Sequence, residues 1–234
     1  MANHATELLG ACMVSTTSTA RRTHAAPATH LASVAASVCV TMADKCGSSG
    51  GDGRSRTVAV LAPSGGAAAV FPALREQGMR RLADVLGLEV RMLPTSTLSG
   101  EALTPEARAA DLNTAFGDVT VAAIVCTIGG DDCIRVLPYL DLELIRANPK
   151  PLLGYSDTTT LHLLLYKLGH VSLYGGALLT QFAISGPSMH SYTATAIRAA
   201  VLEPERPFAV KPSENFQDGY LDSVSYTHLR AHET

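Results

Sequence analysis

Short apolar runs alternate with segments of helical periodicity over residues 57–202 of this 234-residue chain. The apolar runs are short and rich in branched side chains, which predicts strands at residues 57–62, 88–93, 121–126, 151–153 and 171–174. Apolar positions recurring every three or four residues predict helices at residues 70–86, 104–117, 141–147, 158–168 and 188–202. This alternation predicts an α/β fold: a mostly parallel sheet with helices on both faces, in a flavodoxin-like three-layer arrangement.

The first 53 residues have a different composition, dominated by alanine, serine, threonine and histidine, and they end in a glycine- and serine-rich stretch. We expect a disordered leader here. Arg21, Arg22 and the scarcity of acidic residues would also suit an organelle transit segment, although the apolar stripe of such a segment is poor. A further alternative is that residues 1–41 are upstream sequence translated in error.

Composition excludes several classes of function. Apolar residues make up 47% of the chain and the formal net charge is −3, so no basic face for nucleic acid and no membrane span is predicted. The five cysteines form no CxxC pair, which argues against a disulfide framework or a zinc site. We therefore expect no metal and a reducing, cytoplasmic location.

Loops rich in glycine, serine or aspartate follow four of the predicted strands, at residues 63–66, 129–132, 154–157 and 175–176. Ligands of parallel α/β sheets bind at the carboxyl ends of the strands, where these loops meet. We expect the four loops to line one crevice.

Ser156 lies at a predicted strand-to-helix turn, in the sequence Gly-Tyr-Ser-Asp. Such a turn exposes a hydroxyl beside unpaired backbone N–H groups, and nucleophilic serines are often found there. The N–H of Asp157 and the N–H groups around Gly129 and Gly130 would then be the donors of an oxyanion hole. On spacing alone, a serine that caps the following helix is the commoner explanation of this pattern.

The loop at residues 129–132 has two further interpretations. A Gly-Gly-Asp turn after a strand resembles the GGDGT motif of NAD and lipid kinases, but Asp132 and Cys133 replace the last two positions. The simpler interpretation is a tight turn in which Asp131 or Asp132 caps the next helix. Cys133 has no evident base nearby and is interpreted as a small helix residue.

The histidines are poor partners for Ser156. His162 lies six residues further along the predicted helix and off the serine's face, so we interpret it as a packing residue. His228 and His232, with Glu233, have a spacing that would suit a metal site, but the stretch that contains them is interpreted differently below.

Six ordered stretches resemble the LD-carboxypeptidase family of serine peptidases, and within it the microcin C immunity peptidase branch. The matching stretches are Leu-Ala-Pro-Ser at 61–64, Arg-Ala-Ala-Asp-Leu-Asn at 108–113, Thr-Ile-Gly-Gly-Asp-Asp at 127–132, Leu-Pro-Tyr-Leu-Asp at 137–141, Asn-Pro-Lys at 148–150 and Gly-Tyr-Ser-Asp-Thr-Thr at 154–159. Their order and spacing both agree with the family.

The resemblance implies a two-domain, cofactor-free hydrolase with a Ser-Glu-His triad, in which Ser156 is the nucleophile and Asp157 with Gly129 and Gly130 forms the oxyanion hole. It implies cleavage of an amide near a free carboxyl end, in an LD-peptide or in a microcin-type aminoacyl nucleotide. The two-aspartate form of the glycine loop is closer to the microcin branch. The expected partner is such a small substrate, with no nucleic acid or membrane, and a homodimer is compatible with the family.

The chain departs from the family in two places. Gly176 stands where the family commonly has proline. The family's glutamate and histidine lie in a second domain beyond the matched region, and residues 223–234 resemble a tail that recurs in unrelated assembled sequences. We therefore expect a nucleophile domain at 54–203, the start of a linker at 204–222 and a foreign tail at 223–234, so that His228, His232 and Glu233 are not triad members.

The resulting hypothesis is the N-terminal portion of a serine carboxypeptidase-like hydrolase, with its second domain missing or truncated and without activity as this fragment. The alternative from another class is a non-catalytic α/β module whose glycine loops bind a small anionic ligand. A nucleotide-dependent kinase is a weaker third interpretation.

Overall fold

A computed structural model describes residues 57–184 and 186–202 of the chain. Five strands form one sheet: β1 Thr57–Leu61, β2 Glu89–Met92, β3 Val121–Cys126, β4 Leu152–Gly154 and β5 Leu173–Tyr174. All four pairings are parallel and the strand order is β2-β1-β3-β4-β5. This is the order of flavodoxin-like sheets, so the predicted fold class is confirmed. The predicted leader, the linker and the tail, with His228, His232 and Glu233, lie outside the described residues.

Helices connect the strands: α1 Ala67–Val70, α2 Pro72–Leu86, α3 Pro105–Gly117, α4 Leu142–Ala147, α5 Thr159–Lys167 and α6 Ser191–Leu202. Helix α3 begins as the sequence predicts, with Pro105 in its first turn and the Thr104 hydroxyl accepting the N–H of Ala107 at 3.2 Å. None of the helices within 57–184 and 186–202 has the length and apolar run needed to cross a membrane.

The prediction of one helix over residues 70–86 is wrong at its start. The structure has two helices there, α1 and α2, separated at Phe71 with φ −115° and ψ 69°. Proline disfavours helical backbone in the residue before it and lacks the N–H that a continuing helix requires, so Pro72 begins a new helix.

The sheet buries a separate apolar cluster on each face. Alternate residues of β1 divide between them: Ala59 and Leu61 face the cluster formed with α3, α4 and α5, while Val58 and Val60 face the one formed with α2 and α6. All five β1 residues are buried, as expected for a central strand of a three-layer sandwich.

Short irregular helices, which the sequence pattern did not predict, fill the connections after the strands. They are the 3₁₀ helices Pro94–Thr97, Gly100–Ala102, Cys133–Tyr139 and Ser156–Thr158 and the π-helix Leu178–Phe182. The π-helix packs against α2 at Gly78, where an added methyl group would lie 2.9 Å from the carbonyl oxygen of Leu178. Arg81 of α2 donates hydrogen bonds to the carbonyl oxygen of Phe182, the last residue of the π-helix, at 3.1 Å, and to that of Ile184, two residues beyond it, at 2.6 Å.

Candidate active site

Ser156 lies in the turn between β4 and α5, at the carboxyl edge of the sheet. Its side chain is exposed and its φ is +63°, the one positive φ of a non-glycine residue within 57–184 and 186–202. Left-handed backbone costs a residue with a Cβ about 1–2 kcal/mol and is found at functional sites that the surrounding structure holds in place.

The helix-cap interpretation of Ser156 does not agree with this geometry. Neither the 3₁₀ helix Ser156–Thr158 nor α5 has a side-chain cap, and the hydroxyl of Ser156 makes no hydrogen bond with any described residue. The residue instead contributes its backbone: its N–H lies 3.4 Å from the hydroxyl of Tyr174, and its carbonyl accepts from the Thr159 hydroxyl. The Oγ is therefore left available to a ligand.

Gly129 packs directly against this serine. A methyl group added at Gly129 would lie 2.9 Å from Cβ and 3.1 Å from Oγ of Ser156, and 3.4 Å from the backbone nitrogen of Asp157. The Asp157 nitrogen belongs to the first turn of a helix, where N–H groups have no intrahelical partner. The structure thus brings together three of the four predicted site residues, and Gly130 follows in the same loop.

A pocket of about 410 Å³ opens in front of Ser156, lined by residues of three strand-end loops: Gly65, Gly66, Ala67, Ile128, Gly129, Gly130, Tyr155 and Ser156. Its lining contains no charged side chain. The prediction that all four loops line one crevice is wrong for the loop at 175–176. From the end of β5, the Tyr174 hydroxyl lies 3.4 Å from the backbone nitrogen of Ser156.

The glycine loop after β3 is anchored at its far end by a buried arginine. Arg108, which is 1% exposed, donates two hydrogen bonds to the Asp132 carboxylate at 2.6 and 2.9 Å. It also contacts the carbonyl oxygen of Pro63 at 3.4 Å, in the loop after β1. Hydrogen bonding by Arg108 lowers the pKa of Asp132 below its ordinary value, so this carboxylate is ionised at neutral pH.

The prediction that Asp131 or Asp132 caps the next helix is wrong. Asp132 precedes the 3₁₀ helix Cys133–Tyr139 but makes no capping hydrogen bond there, because its carboxylate is bound by Arg108. The first N–H of that helix, on Cys133, is instead accepted at 2.8 Å by the side chain of Asp157. The same carboxylate oxygen accepts from the Ser64 hydroxyl.

Cys133 agrees with its interpretation as a small core residue. It is fully buried, and burial raises the pKa of its thiol to about 12. The neighbouring Cys126 is also buried, and desolvation raises its thiol pKa. Both thiols are protonated at neutral pH and neither is poised as a nucleophile.

His162 supports the end of β4. Its ring is buried, with Nε2 3.0 Å from the carbonyl oxygen of Gly154 and Nδ1 2.7 Å from the Ser172 hydroxyl. Burial lowers its pKa, so the neutral ring donates from Nε2 to the carbonyl oxygen. The N–H of Gly175 donates to the same oxygen at 3.0 Å. His162 therefore has the packing role expected for it, and it also holds Gly154, two positions before Ser156, through a hydrogen bond.

Gly176, where the resembling family commonly has proline, has φ +84°. Proline is fixed near −65° and cannot adopt this conformation, so the family's residue would require a different backbone in this loop.

Within 57–184 and 186–202, no three histidine, cysteine, aspartate or glutamate side chains are grouped closely enough to hold a metal ion.

Sequence reasoning missed the side-chain roles of Arg108, Ser64, Asp157 and Tyr174. One signal was available: Arg108 lies one helical turn before Leu112, on the side of α3 that faces the core. A charged residue on a buried helical face requires a hydrogen-bonding or charged partner, and the structure shows that this partner is Asp132.

A sequence model of the LD-carboxypeptidase N-terminal domain matches residues 58–175, which include the whole of this site. The chain belongs to the LD-carboxypeptidase family. The resemblance read from the sequence is therefore confirmed, and the family is one of hydrolases that act as carboxypeptidases.

The microcin C7 self-immunity protein MccF of Escherichia coli is 41% identical over 85 residues, which are 36% of this chain and 25% of that protein. Among solved structures, an MccF-like protein from Streptococcus pneumoniae in complex with AMP has a TM-score of 0.64 at 31% identity, covering 73% of this chain and 51% of that one. MccF in complex with aspartyl sulfamoyl adenosine has a TM-score of 0.65 at 26% identity, covering 72% and 51%. The chain thus spans about half the length of these structures.

Proposed function

We propose that this chain is the nucleophile-bearing portion of a serine hydrolase that cleaves an amide bond near a free carboxyl end. The observation that carries the proposal is the state of Ser156: an exposed hydroxyl without a hydrogen bond, on left-handed backbone, packed beside Gly129 and the Asp157 nitrogen. A nucleophile requires exposure and donors for the developing oxyanion, and this turn offers both.

The proposed reaction has two steps. Ser156 Oγ forms a bond to the carbonyl carbon, the oxyanion is stabilised by the N–H groups of Asp157 and of the Gly129–Gly130 turn, and the C–N bond breaks as the serine's proton passes through a base to the leaving amine. Water then attacks the acyl-enzyme, releases the carboxylic acid and restores the hydroxyl. In keeping with the resemblance to the family, we propose that a histidine is the base and that a glutamate orients it.

The described residues do not supply that base. Within 57–184 and 186–202, no side chain makes a hydrogen bond to Ser156 Oγ, and His162 is held by Gly154 and Ser172. A serine hydroxyl without an adjacent base is a weak nucleophile. We therefore expect the 234-residue chain by itself to hydrolyse an LD-tetrapeptide slowly or not at all.

Two substrate classes agree with the site: a peptide ending in D-alanine and an aminoacyl nucleotide. The complexes of related proteins with AMP and aspartyl sulfamoyl adenosine support the second class. The glycine-rich pocket offers backbone groups and no side-chain charge, so a substrate carboxylate or phosphate would need backbone N–H groups here or cationic groups from elsewhere in a full-length relative.

A fluorophosphonate probe tests the nucleophile. Because solvent must accept the serine proton when no neighbouring base is present, labelling is slow, and the probe is used in excess over a long incubation. We expect one probe per chain at Ser156, seen by intact mass and peptide mapping, that is abolished in Ser156→Ala and unchanged in Ser188→Ala, which removes an exposed serine far along the chain. Labelling that is absent, or that is spread over several serines and persists in Ser156→Ala, would overturn the proposal.

The non-catalytic binding module stays as the second candidate, because the described residues lack a base for Ser156. The two candidates differ in what Ser156 contributes. For a binding module, AMP binding measured by calorimetry persists in Ser156→Ala and the fluorophosphonate does not label the wild-type chain.

A further inference from the structure

The carboxylate of Asp157 lies at the meeting point of three loops. It belongs to the turn after β4, and one of its oxygens accepts both the Cys133 N–H, at 2.8 Å from the loop after β3, and the Ser64 hydroxyl from the loop after β1. Two donors on one oxygen hold both loops to the residue that follows Ser156.

Ser64 is itself enclosed at this junction. It is 2% exposed, and a methyl group added at Gly130 would lie 2.2 Å from its Oγ. The N–H of Gly65 donates to the carbonyl oxygen of Gly129 at 2.9 Å, which joins the same two loops a second time. The position of the Gly129–Gly130 turn therefore depends on where Ser64 is held.

Different side-chain contacts hold the two ends of the Gly129–Gly130 turn. Beyond the turn, Arg108 holds Asp132 through two hydrogen bonds. Next to the serine, the Asp157 carboxylate holds Cys133 and Ser64. Without this carboxylate, a buried hydroxyl and a helix N–H would lose their acceptor, and the turn would shift to satisfy them.

We propose that the Asp157 side chain is a positioning residue that sets the distance between the Gly129–Gly130 turn and Ser156, and so the geometry of the oxyanion hole. This inference rests on the proposed function of Ser156. The backbone N–H of Asp157 is one donor to the oxyanion, and its carboxylate aligns the donors of the facing loop. The role is one of hydrogen-bond acceptance and does not require the negative charge.

Phosphonylation kinetics test this role. As Ser156 Oγ bonds to phosphorus, fluoride leaves, the serine proton passes to solvent, and the phosphoryl oxygen occupies the oxyanion hole. We expect Asp157→Ala to lower the rate constant of this step about tenfold or more, because misplaced donors no longer stabilise that oxygen, with the half-saturating probe concentration changed less than about threefold. Asp157→Asn, whose amide oxygen accepts both hydrogen bonds, retains a rate within about threefold of wild type.

Ser64→Ala provides a second test, since it removes one of the two donors to Asp157. If both residues act through the same contact, the double variant with Asp157→Ala loses no more rate than Asp157→Ala alone. A phosphonylation rate constant equal to that of the wild type in a folded Asp157→Ala protein would overturn the proposal. Equal loss in Asp157→Asn and Asp157→Ala would also overturn it, because the charge would then be responsible.

Amide hydrogen exchange at Cys133 separates a failure of this inference from a failure of the proposed function. If the wild type is not labelled, Ser156 is not a nucleophile, but exchange still reports the positioning. The inference predicts exchange about tenfold faster in Asp157→Ala and unchanged in Asp157→Asn. Unchanged exchange in Asp157→Ala would contradict it. Should Asp157→Ala fail to fold, Ser64→Ala takes its place. The inference then predicts faster exchange at Cys133 in Ser64→Ala than in Asp157→Asn, and equal exchange in the two variants would contradict it.

Discussion

Gly129 and Ser156 approach so closely that a methyl group on the glycine would lie 2.9 Å from the serine's Cβ and 3.1 Å from its Oγ. The first distance is shorter than side-chain atoms tolerate, so one of the two loops must move in Gly129→Ala. We expect at least a tenfold loss of fluorophosphonate labelling at Ser156, because the donors and the nucleophile no longer face each other. The labelling rate is measured by intact mass.

Gly117→Ala is the matched control for that change. An added methyl group there meets only carbons of the Leu144 side chain, the nearest at 3.4 Å, which is an ordinary contact. Its labelling rate should equal that of the wild type. A Gly129→Ala protein labelled as fast as Gly117→Ala would show that the close approach has no role in reactivity.

The backbone at Ser156 predicts a stability difference between two replacements that both remove the hydroxyl. At φ +63°, alanine retains the cost of left-handed backbone and glycine does not. We expect the free energy of unfolding of Ser156→Gly to exceed that of Ser156→Ala by about 1 kcal/mol in urea denaturation. Equal stability, or a more stable alanine variant, would mean that the turn is not left-handed in solution.

Arg108 should be among the most sensitive positions of the described fold. Arg108→Ala removes a buried guanidinium and leaves Asp132 without its two strongest hydrogen bonds, at an expected cost of about 2–4 kcal/mol in unfolding free energy. Arg146→Ala removes an exposed arginine paired with the exposed Glu143 and should cost less than about 1 kcal/mol. Similar losses in the two variants would contradict the anchoring role of Arg108.

The buried histidines predict a loss of stability in mild acid. Burial lowers the pKa of His162 and of His170 from the ordinary 6.5, so each binds protons more readily in the unfolded chain. Stability then rises with pH between the folded and unfolded pKa values, and falls as the pH is lowered below about 6.5. Urea denaturation across this range should show a smaller pH dependence in His162→Gln. The exposed His190→Gln is the control, and an unchanged slope in His162→Gln would refute the assignment.

Much of the fold could be predicted from the sequence because its strands carry an unambiguous pattern. Residues 121–126 form an uninterrupted apolar run, and the observed β3 coincides with it. Helix α3 has both a capping threonine and a proline in its first turn, so its start was also predicted. The break at Phe71 was missed because the apolar periodicity continues across Pro72, where the backbone cannot continue as helix.

The site was predictable only in part, for a physical reason. Ser156 and the glycine turn follow strands, and the rule that loops meet at the carboxyl edge of a parallel sheet brings them together. The contacts of Asp157 with Ser64 and Cys133 join residues 93 and 24 positions apart in the chain. Such contacts depend on how three loops pack, and no local pattern encodes them.

The central claim is that this fold makes Ser156 a nucleophile, and the comparison of labelling in the folded and the unfolded chain tests it most directly. The fluorophosphonate labelling rate of Ser156 would be measured by peptide mapping in buffer and in a denaturing concentration of urea. The account predicts labelling at least about tenfold faster in the folded protein, and faster at Ser156 than at any other serine, because only the folded chain presents the oxyanion donors. Equal rates in the two states, or a folded rate at Ser156 no higher than at Ser188, would contradict it.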